Sequence, residues 1–260
     1  MSMPFGIASI EQFVLVFIRI TAALSVMPIF RHRAVPSMLK AGLGLSLAFL
    51  VAPNLGGSLE GTPGTPASYL VLALGETLVG LMMGFAAQFV FYAVEMCGRI
   101  IGLQSGLSFV ATVDPNTEVQ SDLITQVYEI LTILIFLSLD GHLMMIRAIH
   151  ESFSVIPIGG FSVDGRLAEW SIAQAGQVLG RGVQLAAPMM ATLLVTDISL
   201  GILTRVAPTM NVFVLGFPLK IGLTLIFTSL TMTTVATIFS AQYGEFIREF
   251  PSVLRLLTAP

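Results

Sequence analysis

The sequence predicts a polytopic membrane protein of packed, interrupted helices, and three observations carry that reading. Hydrophobic residues make up 55% of the 260 positions and charged residues only 10%, with a mean hydropathy of +0.90. Soluble domains carry about a quarter charged residues, so this chain has too little polar surface to cover a globule in water. The apolar residues gather into six regions separated by Gly/Pro-rich or charged stretches. Finally, Gly98, Gly102 and Gly106 recur every fourth residue and run into an apolar stretch closed by Asp114-Pro115. Glycines at that spacing leave one bare stripe along a helix, where a second backbone can approach closely. A soluble subunit enclosed in a larger complex is the alternative to a membrane protein.

The regions follow in order. The first, about residues 13–30, is interrupted by Arg19 and Pro28. The second, 41–52, stops at Pro53; at ~1.5 Å per residue it covers ~18 Å, short of a ~30 Å hydrocarbon core. The third, 69–94, is ample at ~39 Å, and Gly75, Gly80 and Gly84 thin it. The fourth covers 123–139. The fifth, about 178–203, contains Arg181, Pro188 and Asp197, and the sixth, 212–241, contains Pro218 and Lys220. Prolines and charges inside these regions imply kinks, half-helices or hairpins that do not fully cross. Residues 53–68 read as a polar loop, and Trp170, the only tryptophan, reads as an interfacial anchor. No fixed-period repeat or soluble-domain boundary is visible, so a single domain over 1–260 is expected. Arg31, Arg33 and Lys40 point to a cytoplasmic loop after the first region, although the other loops give little contrast.

Composition excludes several functions. The net charge is −3 and no basic run occurs, which argues against nucleic acid. The single cysteine, Cys97, rules out an internal disulfide framework and sits among apolar neighbours as an inert thiol. The N-terminus lacks a positive n-region, so the first apolar segment is expected to remain in the mature protein. His32, His142 and His150 form no metal-ligand spacing. There is no nucleophile elbow, phosphate-binding loop or dinucleotide fingerprint. The chain is not expected to be an enzyme or to hold a cofactor or metal.

Charges in apolar surroundings are more informative. Arg19, Glu76, Glu129, Asp197 and Lys220 lie in or beside apolar segments, where a charge is expensive and usually faces protein or a wet cavity. Arg19 and Lys220 have the alternative of snorkelling to a membrane surface. Asp197, Gly201 and Arg205 are spaced by four on one helix face. Asp197 and Arg205 are about 12 Å apart along the axis, too far to touch, so each is expected to pair with a neighbouring helix or subunit. For Asp197 a structural ion pair outweighs a proton relay. Beyond the glycine stripe, Leu107, Phe109, Val110 and Val113 are apolar, yet Gly106, Asp114 and Pro115 bracket them as a loop. An apolar loop at membrane depth is tolerated only inside protein or along a cavity, and apolar side chains can close a pore by excluding water. A core loop with no gating role remains the alternative on the residues alone.

Across essentially its whole length the chain resembles the FliR family, export-gate components of the flagellar type III secretion apparatus. The N-terminal part carries Arg19, Pro28, Arg31, Pro36 and Lys40. The centre carries Gly75-Glu76, Gly80, Gly84, Gly98, Gly102, Gly106-Leu-Ser-Phe109 and Asp114-Pro115. The C-terminal half carries Ala187-Pro188, Asp197-Ile-Ser-Leu-Gly201, Arg205-Val-Ala-Pro208, Asn211, Phe213 and Gly216-Phe-Pro218-Leu-Lys220. Their order and spacing are more specific than any one of them.

The resemblance implies an all-α fold of broken and hairpin helices, like a FliP-type unit fused to a FliQ-type unit. It implies a hetero-oligomeric gate with FliP and FliQ, with FlhB as a further partner, in the bacterial inner membrane at the flagellar basal body. Unfolded flagellar proteins would cross the shared pore. The implied channel plug is Gly106, Leu107, Ser108, Phe109, Val110, Ala111, Thr112, Val113, Asp114 and Pro115. Within it Phe109, Val110 and Val113 are the sealing contacts, Gly106 and Pro115 shape the loop, and Asp114 caps its end. Gly75, Gly80, Gly84, Gly98 and Gly102 are then helix or subunit packing positions. Arg19, Glu76, Asp197, Arg205 and Lys220 are buried charges or inter-subunit contacts. The main rival is a stand-alone secondary transporter, which predicts an internal symmetry that the halves do not show. An intramembrane protease lacks its Gly-x-Gly-Asp or Ser/His signature.

Overall fold

The computed structural model describes residues 7–31, 35–55, 65–108, 123–162, 165–209 and 211–258. Among these residues the fold is all-α. Its main helices are α1 (Ile7–Val26), α2 (Ser37–Val51), α3 (Pro66–Ser105), α4 (Leu123–Ser138), α5 (Gly141–Val155), α6 (Gly165–Val206) and α7 (Val212–Arg255). A 3-10 turn, Ala52–Asn54, closes α2, and one isolated bridge joins Phe161 to Thr258.

Local chemistry sets the helix ends. α2 starts after Pro36, whose ψ of 142° is extended. It ends where Pro53 enters the 3-10 turn and the Asn54 amide donates back to the Leu50 carbonyl at 2.8 Å. α3 starts on a reciprocal cap: the Ser68 N–H donates to Thr65 Oγ1 at 3.3 Å and the Thr65 N–H to Ser68 Oγ at 3.4 Å. Pro66 occupies the first helical position, where its missing N–H costs nothing. Between α4 and α5 the chain turns at Asp140, a non-glycine residue with a left-handed φ of 54°.

The helices are longer and less broken than hydropathy implies. α3 has 40 residues, α6 has 42 and α7 has 44, so at ~1.5 Å per residue each covers ~60–66 Å. A ~30 Å hydrocarbon core needs only about half of that. Pro188 lies inside continuous α6, and Pro218 inside continuous α7, where interruptions were expected. A proline removes one backbone hydrogen bond and crowds the preceding turn. Around Pro188 the buried Leu185, Ala186, Met189 and Leu193 hold the helix through that local loss. The second apolar region is also longer than expected, because α2 and its 3-10 turn together run from Ser37 to Asn54.

The chain clusters into two compact units. One comprises residues 1–89, 140–173 and 244–260, the other 90–139 and 174–243. α3, α6 and α7 each contribute residues to both. In the first unit α1 buries Leu15, Val16, Arg19, Ile20, Ala23 and Leu24, a stripe at helical period that the buried Met27 continues just past the helix end. α5 buries Met145, Ala148, Ile149, Ser152 and Phe153. In the second unit Phe91 meets Phe136 and Phe239 edge-on, with ring centroids 5.3 and 5.1 Å apart. Tyr243 packs on both Phe136 and Phe239.

Candidate functional site

The first unit contains a buried ion pair. Arg19 Nε donates to Glu76 Oε2 at 2.5 Å, and the two side chains are 0% and 1% exposed. The pair is enclosed rather than bare. Arg19 Nη1 donates to the Ile156 carbonyl at 2.9 Å, and the guanidinium lies 4.2 Å from the centroid of the Phe153 ring. Glu76 Oε1 accepts the Gly159 N–H at 3.0 Å, and Gly159 has a left-handed φ of 82°. Hydrogen bonds to both charged partners offset part of the desolvation cost of the buried pair, while Arg19 Nη2 is buried without a hydrogen-bond partner. Arg19 therefore does not snorkel: its neutralising partner is 57 residues away in sequence, on α3.

Two glycines make that meeting possible. A Cβ at Gly80 would collide with the Arg19 carbonyl and stand 2.8 Å from Ala22 Cβ. At Gly84 it would stand 2.7 Å from the Ala23 carbonyl and 2.8 Å from Val26 Cβ. Backbone atoms cannot move aside as a side chain can, so both positions of the Gly-x-x-x-Gly pair are closed to larger residues. Gly75 differs: a Cβ there would meet Phe161 at an ordinary 3.5 Å. Trp170 is half-buried and packs edge-on to Phe89 at 5.6 Å, so part of the indole is in a packing contact.

The second unit contains the end of the glycine stripe. A Cβ at Gly98 would lie 2.8 Å from Thr125 Cα, so α3 and α4 touch there almost backbone to backbone. Gly102 is buried and its carbonyl accepts the Ser105 hydroxyl at 3.0 Å. The Leu107 N–H reaches Ser105 Oγ at 3.4 Å, and the Gly106 N–H donates to the Leu103 carbonyl at 3.3 Å. Gly106 then turns the chain with φ +85°, the left-handed ending that glycine supplies at a helix C-terminus. Phe217 of α7 lies against it: a Cβ on Gly106 would be 2.5 Å from Phe217 Cε1.

Three further contacts hold this corner. Gln104 Nε2 donates to the Met190 carbonyl of α6 at 3.1 Å. Lys220 of α7 pairs with Asp197 of α6. Gly216 of α7 is buried where a Cβ would stand 3.1 Å from Leu200 Cδ1. A cleft of roughly 230 Å³ opens beside them, lined by Asp197, Leu200, Gly201, Thr204, Gly216, Phe217 and Lys220. The end of α3 is thus fixed against both α6 and α7.

The structure joins four of the six sequence-selected charges into two pairs, Arg19–Glu76 and Asp197–Lys220, and Glu129 is half-buried on α4. Arg205 is exposed in the last turn of α6. Of the ten residues read as the plug, Gly106, Leu107 and Ser108 are described, while Phe109, Val110, Ala111, Thr112, Val113, Asp114 and Pro115 lie outside the described residues. Sequence reasoning missed Gly182, where a Cβ would be 2.8 Å from Met96 Cβ, together with Gln104 and Phe217. Gly182 had a signal in Gly180-Arg-Gly182, but Gly180 faces open space and only the fold tells the two apart.

Among the described residues no three His, Cys, Asp or Glu side chains are grouped to hold a metal. Ser37–Asn54, Pro66–Ser105, Gly165–Val206 and Val214–Arg255 are each long and apolar enough to cross a membrane. These features describe a membrane-embedded helical protein whose polar groups serve packing and pairing. Comparison with known proteins narrows the class. The family described as "Bacterial export proteins, family 1" matches residues 10–246. The chain is 33% identical over 238 residues to the flagellar biosynthetic protein FliR of Escherichia coli K12, covering 91% of this chain and 90% of that protein. It is 33% identical over 251 residues to FliR of Pectobacterium carotovorum, covering 96% and 95%. With FliR of Bacillus subtilis the identity is 32% over 251 residues, covering 94% and 95%. The chain belongs to the FliR family of flagellar export-gate proteins. Its apolar helices and this membership agree with placement in the bacterial inner membrane.

Proposed function

We propose that the chain is a core subunit of the flagellar type III protein export channel, which forms and gates a closed pore together with FliP and FliQ. Residues 1–260 act as one functional domain, because three helices contribute to both compact units. FlhB is a further partner at the flagellar basal body, and unfolded flagellar proteins are the cargo. The observation that carries the reading is the end of α3. A glycine-lined helix stops at a fixed left-handed residue, pinned on two other helices, and the apolar segment 107–113 starts there. An apolar segment held from a rigid corner suits a plug that excludes water.

The outer surfaces support an assembled state. Val195, Ile198 and Ile202 of α6 and Leu219, Leu225, Ile226 and Leu230 of α7 are exposed apolar side chains. Asp197, 43% exposed, stands on a neighbouring face of α6, where it pairs with Lys220. Lipid alone would cover the apolar groups at the expense of the carboxylate, whereas sister subunits can serve both. The FliP-like and FliQ-like halves of the fold belong to the same proposal. Local action is gating, with energy supplied elsewhere in the apparatus.

Deleting residues 107–113 tests it. In a purified complex with FliP and FliQ placed in a planar bilayer, the deletion is expected to leak ions where the intact complex is tight. Unchanged conductance would show that the segment does not seal. The transporter alternative predicts that the isolated chain moves a solute in liposomes without partner subunits.

A further inference from the structure

We propose that the groove between α5 and the C-terminal end of α7 binds one zwitterionic phospholipid, with its phosphate on Arg147, its primary ammonium on Glu151 and one acyl chain along the groove floor. The proposal concerns the first compact unit alone and does not depend on the export-gate reading. The groove has a volume of roughly 470 Å³ and an apolar lining from Met144, Ala148 and Val155 of α5 and Ile247, Phe250 and Leu254 of α7. A cavity of ~150 Å³ holds benzene, so this one has room for a much longer chain segment. Two charges stand on its α5 side. Arg147 and Glu151 both line the groove, both are exposed, and neither side chain makes a hydrogen bond or ion pair among the described residues. Their order along the helix explains why they do not close on each other. A base four residues before an acid is the weaker arrangement, whereas the reverse order, Glu95 before Arg99, is paired at 2.6 Å. Arg147 and Glu151 therefore stand one helical turn apart, ~6 Å along the axis, with both charged ends open.

A phosphoethanolamine headgroup matches that pair, because a two-carbon linker separates its phosphate from its ammonium. A guanidinium meets phosphate oxygens with two parallel N–H bonds. The ammonium needs acceptors, and the groove has more than Glu151. The Ser154 hydroxyl donates to the Glu151 carbonyl at 2.6 Å, which commits its proton and leaves its oxygen as an acceptor. Pro251 has no N–H, so the Ile247 carbonyl lacks its regular helical donor, and both residues line the groove. A choline headgroup has no N–H to give these acceptors, and a glycerol headgroup places no cation against Glu151. Depth agrees with lipid as the occupant. Residues 221–244 of α7 carry no charge and cover ~36 Å, enough for a ~30 Å hydrocarbon core. Glu245, Arg248 and Glu249 follow at once, and the α7 wall of the groove starts at Ile247, within one turn of that boundary. The groove thus opens at the level where headgroups lie.

Native mass spectrometry tests this on the chain extracted in mild detergent with whatever subunits co-purify. After delipidation, phosphatidylethanolamine, phosphatidylcholine and phosphatidylglycerol with identical acyl chains are added back in turn. Phosphatidylethanolamine is expected to bind about tenfold more tightly than the other two, the effect of one charge-assisted hydrogen bond. Arg147→Gln and Glu151→Gln are each expected to weaken it about tenfold. Arg147→Glu/Glu151→Arg keeps the net charge and puts the pair in the favourable helical order, so it is expected to fold as the parent does, close on itself and release the lipid. The parent is then expected to retain one more phosphatidylethanolamine per copy of this chain than the swapped variant. Equal affinity for the three lipids, or an undiminished lipid load on the swapped variant, overturns the proposal. Ser154→Cys in a Cys97→Ser background gives a second check: a cross-link to a co-purifying subunit means that polypeptide fills the groove, which also overturns it. The groove shares no residue with 106–115, so none of these outcomes bears on the plug.

Discussion

Arg19 and Glu76 show how a single residue pair is both legible and not. Each reads from sequence as a charge too costly to leave in an apolar region, and each is buried. Their partnership does not read, because 57 residues separate them and no local pattern spans that gap. Removing one partner leaves an uncompensated buried charge, which costs about 3–5 kcal/mol, whereas replacing both with apolar residues is far milder. Glu76→Gln is therefore expected to lower the melting temperature of the purified complex strongly, and the Arg19→Leu/Glu76→Leu double variant to recover most of it. A double variant as unstable as Glu76→Gln would mean the hydrogen bonds to Ile156 and Gly159 matter more than the charges. The glycines follow the same logic. Gly75, Gly80, Gly84 and Gly98 all read from the sequence as packing positions, but only the neighbouring backbones show that Gly75 is not under the same constraint as the other three.

Helix lengths were the least legible feature. Hydropathy finds stretches matched to lipid, and it finds them within α3, α6 and α7. It does not see that each helix continues to about one and a half times that length. Prolines misled for a related reason, since their local cost is offset by tertiary burial that sequence does not display. Pro188→Ala is expected to raise the melting temperature of the complex, because an interior proline costs a helix about 3 kcal/mol. A lower value would show that the proline's geometry is used in packing. Single cysteines stepped along α3 in a Cys97→Ser background check the length argument. A membrane-impermeant thiol reagent is expected to be excluded from no more than ~20 consecutive positions by lipid alone, so protection beyond that run at positions exposed in the single chain, such as Leu70, Val71 and Leu103, identifies cover by partner subunits.

On the scale of the whole chain, composition alone placed the protein in a membrane, and the order of motifs placed it in its family. Neither could say how its charges pair or which groups hold the end of α3, because those contacts join segments distant in sequence. The exposed apolar faces of α6 and α7 make a prediction of their own. Expressed without FliP and FliQ, the chain is expected to be degraded or to aggregate in mild detergent. Co-expression is expected to restore a monodisperse complex on size-exclusion chromatography. A stable, monodisperse chain on its own would favour the transporter alternative.

The Arg19–Glu76 pair also sets an order of events during synthesis. Arg19 lies on α1, which is synthesised before α3, and Glu76 follows 57 residues later. At ~5–20 residues per second that is a wait of roughly 3–11 s. Alone near the centre of a bilayer, an arginine disfavours insertion by about 2.5–3.5 kcal/mol. α1 can settle fully only after α3 arrives with the neutralising carboxylate, and Gly80 and Gly84 are the surface on which it does so. A product truncated before α3 keeps Arg19 without its carboxylate partner, and it is expected to be degraded faster than the full chain in a pulse-chase measurement; equal lifetimes would show that the pair does not matter to the newborn chain.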